Sequence, residues 1–439
     1  MLFNSSAFLA FYFVFFPTYW AIHRNIPARN ALILVGSYFF YGSWDWRFLS
    51  LIFISTVIDF YCAKRIYNSQ NNKTRKYFFT LSLVTNLGTL AVFKYFGFFV
   101  SSFIDLMSAL GIHANFTTLN IILPVGISFY TFQSLSYTID IYRRNLKPTD
   151  SFLNFAAFVA FFPQLVAGPI ERAKSLLPQI ENPTIFRFNQ FRDGLYLILW
   201  GLVKKTLIAD RLAVYVDIVY ADPSSHTAAQ CLIATLFFTI QIYCDFSGYS
   251  DIARGIAKTL GIETMVNFKT PYFSFSIREF WQRWHISLST CFRDYVYFPL
   301  GGSKVDDLTF KRNILITFLL SGLWHGAAYT FIIWGLIHAL GYFFDPHSRI
   351  HDKKLFNSTM LYKISGLTWT AGFVILAWVF FRANSLDDAI VVLSNIMSII
   401  PGLGHLSSGA SSSSIIVGMN NTEFLLSLYF LTMLFITDY

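Results

Sequence analysis

Two histidines stand where an imidazole can do more than pack. His325 lies in SGLWHGAAYT (321–330), between Trp324 and Gly326, in a run with no acid, lysine or arginine between Arg312 and Asp345. Ionisable groups held at membrane depth are costly and are candidates for function. An imidazole kept from water favours its neutral form, which can take the proton of a hydroxyl as that hydroxyl attacks an acyl carbon. The plainer alternative is a core histidine with one satisfied hydrogen bond. The second, His285, lies in IREFWQRWHISLSTCFR (277–293). On a continuous helix Arg278, Gln282, His285 and Ser289 share one face, and Phe280, Trp281, Trp284, Leu288 and Phe292 fill much of the rest. Such a polar stripe either meets headgroups and water at an interface or lines a cavity. Metal chemistry is not expected. His325 and His338 would fall on different faces of any continuous helix, and no HExxH pair occurs.

The elements that must position these groups follow from composition. Of 439 residues, 55% are hydrophobic and 13% charged, with a mean hydropathy of +0.50. A soluble domain would carry roughly twice that share of charge. Uncharged stretches near the length of a spanning helix recur along the chain. They are too long and too uniformly apolar for transmembrane strands. The sequence therefore predicts a single all-α polytopic membrane domain over 1–439. The first apolar run, 6–22, has its arginines (Arg24, Arg29) after it and no basic segment before it, so it reads as a first span and not a cleaved signal. Cys62, Cys231, Cys244 and Cys291 have apolar neighbours and no zinc spacing, which suggests buried, quiet thiols. The formal charge of +9 belongs to loops between spans and does not indicate nucleic-acid binding.

Loop charges assign sides. Residues 64–76, KRIYNSQNNKTRK, carry five positive charges and no acid and are expected in the cytoplasm. Counting outward, 24–29, 142–150, 251–312 and 345–360 (with Arg349, Lys353 and Lys354) fall inside, while 101–118, Asp222 and the loop 382–420 fall outside. Residues 313–344 must then cross twice. One helix of 32 residues would be about 48 Å long, against a hydrocarbon core of about 30 Å. The turn chemistry sits at Gly322 and Gly326, which places His325 at a break beyond the midplane, towards the outer face. The count gives about eleven spans, N-terminus outside. The segments 152–169 and 272–300 fit no full span and read as re-entrant or interfacial. Asp251 and Arg254 are spaced to pair, Gly168 and Pro169 to turn, and Glu171 is expected in solvent.

At this point four motifs carry a resemblance: AFFPQLVAGPIER (160–172), QIYCDFSGYSDIARGIAKTLGI (241–262), FWQRWHISLSTCFRDYVYFPLGGS (280–303) and SGLWHGAAYTFIIWGLIHA (321–339). In this order they resemble the membrane-bound O-acyltransferase family, in its bacterial branch of alginate O-acetyltransferase and teichoic-acid D-alanyl transfer protein. The 241–262 and 280–303 blocks look more like the polysaccharide acetyltransferases. The resemblance implies a ring of helices around a thin partition, crossed by a tunnel. It also implies transfer of an acyl group from a cytoplasmic thioester, acetyl-CoA or an acyl carrier protein, to a hydroxyl. His325 would be the base and His285 would orient the donor. Trp324, Gln282, Ser289, Arg283, Tyr249 and Asp245 would contact substrate, and Arg283 and Arg293 would attract phosphates. No resident cofactor is implied. The acceptor would be a polysaccharide or an extracytoplasmic partner protein, and the location the bacterial inner membrane. Rival readings are a lipid or sterol acceptor, D-alanyl transfer, a transporter or flippase, and a non-catalytic scaffold.

Overall fold

The computed structural model describes residues 1–112, 122–166, 168–347, 360–399 and 416–438. The basic residues Arg349, Lys353 and Lys354 and the Ser/Gly run 406–414 lie outside the described residues. Among the described residues all regular structure is helical. The chain forms two compact units, 1–199 with 250–265, and 200–249 with 266–439.

The first unit begins with α1 (Ser6–Ile22), α2 (Ile26–Asp45) and α3 (Leu49–Asn68). It continues with α4 (Asn72–Leu90), α5 (Phe96–Ala109) and α6 (Ile127–Tyr142). Side chains cap the starts: Ser5 accepts from the Phe8 N–H, Asn25 from Ala28 and Asn71 from Lys73. Extended backbone at Asp45 (φ −158°, ψ 110°) divides α2 from α3. Asp59 of α3 is fully buried and accepts from Ser82 (2.6 Å) and Asn86 (2.9 Å) of α4, so the two helices are joined by a buried polar cluster. The segment 152–169, expected not to span, holds two short helices, α7 (Phe152–Val159) and α8 (Phe162–Leu165), nearly all buried. Then come α9 (Ala173–Glu181) and most of α10 (Phe188–Leu202).

Glu171 departs from expectation. It is buried, and its carboxylate accepts the Met265 N–H at 2.6 Å. Burial pushes its carboxyl up to about 7, although that hydrogen bond and the charges of Arg254 and Arg172 pull the other way. The sequence reading treated a lone glutamate in a basic loop as solvated and had no means of seeing the chain return over it 94 residues later. Asp251 and Arg254 do pair, at 3.3 Å.

The second unit holds α11 (Asp210–Ala221), α12 (Ala228–Thr259, up to Tyr249), and the short α13 (Ile277–Arg283) and α14 (Ile286–Phe292). After these come α15 (Asp307–His325), α16 (Tyr329–Phe344), α17 (Met360–Arg382), α18 (Leu386–Met397) and α19 (Asn421–Asp438). Its core is aromatic, with Trp284, Trp334, Trp378, Phe280, Tyr215 and Tyr220 buried together. Helix α18 lies inside the stretch 382–420 that was read as loop. Ser385 caps it by accepting the Asp388 N–H, and Ala389 and Val392 are buried. The four cysteines are buried and unbridged.

Among the described residues, four helical stretches are long and apolar enough to cross a bilayer: Ile26–Asn68, Asn72–Ala109, Ala228–Thr259 and Met360–Arg382. Large apolar side chains turn outward; Phe13 of α1 is 84% exposed and Leu361 of α17 is 77% exposed. In water such surfaces would associate, whereas in lipid they are solvated. The protein is a membrane protein.

Candidate active site

His325 is the last residue of α15. Gly326 (φ −160°, ψ 152°) and Ala328 (φ −149°, ψ 155°) are extended, and α16 starts at Tyr329. The break therefore falls where the glycines predicted it. Helix α15 is not short, however: its 19 residues are about 28 Å long. The hairpin is held close by small residues. A Cβ on Gly322 would strike the Phe331 carbonyl oxygen, and one on Gly335 the Phe318 carbonyl oxygen. Those two glycines let the backbones of α15 and α16 touch.

The His325 ring is walled by aromatic edges and faces. Trp324 lies at 5.0 Å, Trp334 at 5.0 Å and Phe381 at 5.1 Å between ring centroids, all at steep angles. The residue as a whole is partly exposed, while the ring's Nε2 is buried. His285 stands 6.3 Å away, with Trp324 5.8 Å from it. The two histidines read from sequence as chemical are thus brought together, with Trp324 beside both.

His285 reaches this place by leaving the helix on which its spacing had put it. Its backbone is left-handed (φ 43°, ψ 53°), a region L-residues rarely adopt, and it separates α13 from α14. The preceding strand of chain causes the break: Lys269 N–H bonds the Arg283 carbonyl (3.0 Å) and Ile286 N–H bonds the Asn267 carbonyl (2.9 Å). His285 is fully buried, its Nδ1 3.2 Å from Asn267 Oδ1 and its ring edge-on to Phe246 of α12 at 4.5 Å.

The rest of the expected stripe does something different. Arg278, Gln282 and Ser289 line a cavity of about 540 Å³ together with Arg293, Thr317 and Ser321. The cavity wall includes Ile286, adjacent to His285, and Ser321, one turn before His325. Of the two arginines expected to attract phosphate, Arg293 lines this cavity and Arg283 does not. Arg283 instead pairs with Glu279 at 2.5 Å, one helical turn away. Neither Asp245 nor Tyr249 lines the cavity. Asp245 is held by Lys205 (2.6 Å), which also binds Asp210 (2.7 Å), on the π-helical turn Val203–Ala209. Its carboxylate is therefore committed to an ion triad, and α12 meets His285 through Phe246.

Sequence reasoning missed Asn267, Phe246, Trp334 and Phe381. Phe246 sits inside a motif quoted for its polar residues, and only the fold reveals which side of α12 faces His285. Asn267 carries no local signal beyond being a polar residue in an aromatic stretch.

The chain matches the family described as MBOAT, membrane-bound O-acyltransferase family, over residues 142–386. It is 40% identical to a protein of Azotobacter vinelandii named probable alginate O-acetylase AlgI, over 89% of this chain and 76% of that one. It is 36% identical to a peptidoglycan O-acetyltransferase of Helicobacter pylori, over 94% of this chain and 82% of that one. Similarity to a teichoic acid D-alanyltransferase of Bacillus subtilis is lower, 28% over 48% of this chain and 55% of that one.

Proposed function

Because the chain belongs to the membrane-bound O-acyltransferase family and is an O-acyltransferase, we propose that it moves an acetyl group from a cytoplasmic thioester to a hydroxyl outside the membrane. The product is an O-acetylated cell-surface polysaccharide. The observation that carries this reading is the pair of imidazoles 6.3 Å apart, beside a cavity whose wall bears two arginines. The greater likeness to O-acetyl transfer proteins than to a D-alanyltransferase favours acetyl as the cargo.

In this reading the thioester arm enters the cavity, its phosphates drawn by Arg278 and Arg293. The hydroxyl arrives from the opposite side. His325 takes its proton as the oxygen attacks the thioester carbonyl carbon. The C–S bond then breaks, and the thiolate leaves and takes up the proton as a thiol. His285 holds the donor in line. The acceptor is a polymer hydroxyl, or a serine of an extracytoplasmic partner that passes the acetyl on. The protein sits in the inner membrane with its N-terminus and the His325 break towards the outside.

The test uses purified protein in lipid nanodiscs, labelled acetyl-CoA and a cell-surface polysaccharide fraction. Label should enter the polysaccharide as a base-labile ester, and His325→Ala should reduce the rate by about 10²–10⁴-fold with insertion unchanged. Retained transfer in H325A would refute the base assignment. Label found only in a lipid extract would transfer the reading to a lipid acceptor.

A further inference from the structure

We propose that Asn267 is a positioning residue that fixes the tautomer of His285, making Nε2 of that ring a hydrogen-bond acceptor. The inference rests on the functional reading above and adds the direction in which His285 works.

Three donors converge on one atom. Asn267 Oδ1 lies 3.1 Å from the Ser287 N–H nitrogen, 3.0 Å from Ser287 Oγ and 3.2 Å from His285 Nδ1. The backbone N–H of Ser287 can only donate, so the amide atom it meets is the oxygen and not the nitrogen. An oxygen without a proton can only accept, so its 3.2 Å contact with His285 Nδ1 is a hydrogen bond when Nδ1 carries the hydrogen; the Ser287 hydroxyl, which could donate to a bare Nδ1, lies farther off at 3.5 Å. A neutral imidazole with its proton on Nδ1 has a bare lone pair at Nε2. Nε2 is buried with no hydrogen-bond partner among the described residues, although a buried polar atom ordinarily has one. That atom is left for a substrate. Asn267 is itself fully enclosed, and its own carbonyl receives the Ile286 N–H, so the amide is anchored to the turn it orients.

The consequence is chemical. With this tautomer His285 cannot donate a hydrogen bond to the thioester carbonyl. It accepts one, from an N–H of the donor arm or from the incoming hydroxyl. Phe246 of α12, Asn267 and Phe268 of the preceding segment, and Trp324 and His325 of α15 face the ring, and among these His325 is the titratable group.

The test compares wild type, Asn267→Ala, Asn267→Asp, His285→Ala and the double variant N267A/H285A in nanodiscs, with labelled acetyl-CoA and a hydroxyl acceptor. Asn267→Ala should lower kcat/KM at least about tenfold. In the His285→Ala background the same change should have no further effect, because the amide acts through that ring. Asn267→Asp keeps the acceptor and adds a charge that favours the imidazolium, so activity should persist while the acid limb of the pH–rate profile moves to higher pH. Should N267A fail to give a monodisperse protein, the N267D profile decides alone. Losses that add in the double variant, or an N267D profile superimposable on wild type, would overturn the proposal. A wild type that transfers no acetyl at all would instead bring down the functional reading.

Discussion

At the scale of the residue, the site is defined by what each polar atom is left free to do. His325 and His285 were legible in the sequence because an ionisable group in an otherwise uncharged run has few structural excuses. The resemblance assigned them separate roles, but the contact of His285 Nδ1 with an amide 18 residues upstream had no signal in the sequence. Arginines show the same contrast. Arg283 and Arg293 each have a carboxylate partner, Glu279 and Asp294, but only Arg293 lines the cavity. Arg278 and Arg293, which do line the cavity, are expected to govern donor affinity. Replacing either by alanine should raise KM for acetyl-CoA several-fold with kcat nearly unchanged, the pattern of an interaction made equally in ground and transition states. The same variants assayed with a short acetyl thioester lacking phosphates should match wild type. An equal loss with both donors would remove those arginines from phosphate binding.

At the scale of the element, the hairpin of α15 and α16 shows why part of this fold could be read and part could not. Its turn is encoded locally, by glycines flanking a histidine in a run too long for one crossing. Close approach of its two backbones requires Gly322 and Gly335 to have no side chain. Gly322→Ala should therefore destabilise the protein by roughly 1–3 kcal/mol, as overpacking does. Thermal unfolding followed by tryptophan fluorescence would measure it, and transfer should fall as His325 shifts. An unchanged melting temperature would mean the helices can part without cost. The break between α13 and α14 has no such local code. It is imposed by backbone pairing with Asn267 and Lys269, so a helical periodicity that looked continuous from Arg278 to Ser289 was misleading. Helix α18 was readable in principle, because Ser385 with acids at Asp387 and Asp388 is a helix start, but it was passed over in favour of a loop.

At the scale of the whole molecule, the membrane character was set by composition, and the long apolar helices and outward phenylalanines agree with it. Buried charge is where composition misled. Glu171 titrates at about 7 in the folded chain, against an ordinary 4.5. The folded form holds the extra proton between those values. The stability it contributes is complete below 4.5 and is lost as the pH rises through 7. Wild-type protein in detergent should therefore show a falling melting temperature from pH 5 to 8, and Glu171→Gln should fall less. Parallel slopes for the two would place that carboxyl in water after all.

The backward-twisted peptide at His285 has an outcome outside catalysis. An L-side chain there costs about 1–2 kcal/mol that a residue lacking Cβ would not incur. Among truncations, H285G should then survive heating better than H285A, the reverse of their usual ranking, and both should transfer acetyl more slowly than wild type. A population bred solely for heat tolerance would drift towards glycine at that spot, losing the imidazole on which the proposed reaction depends.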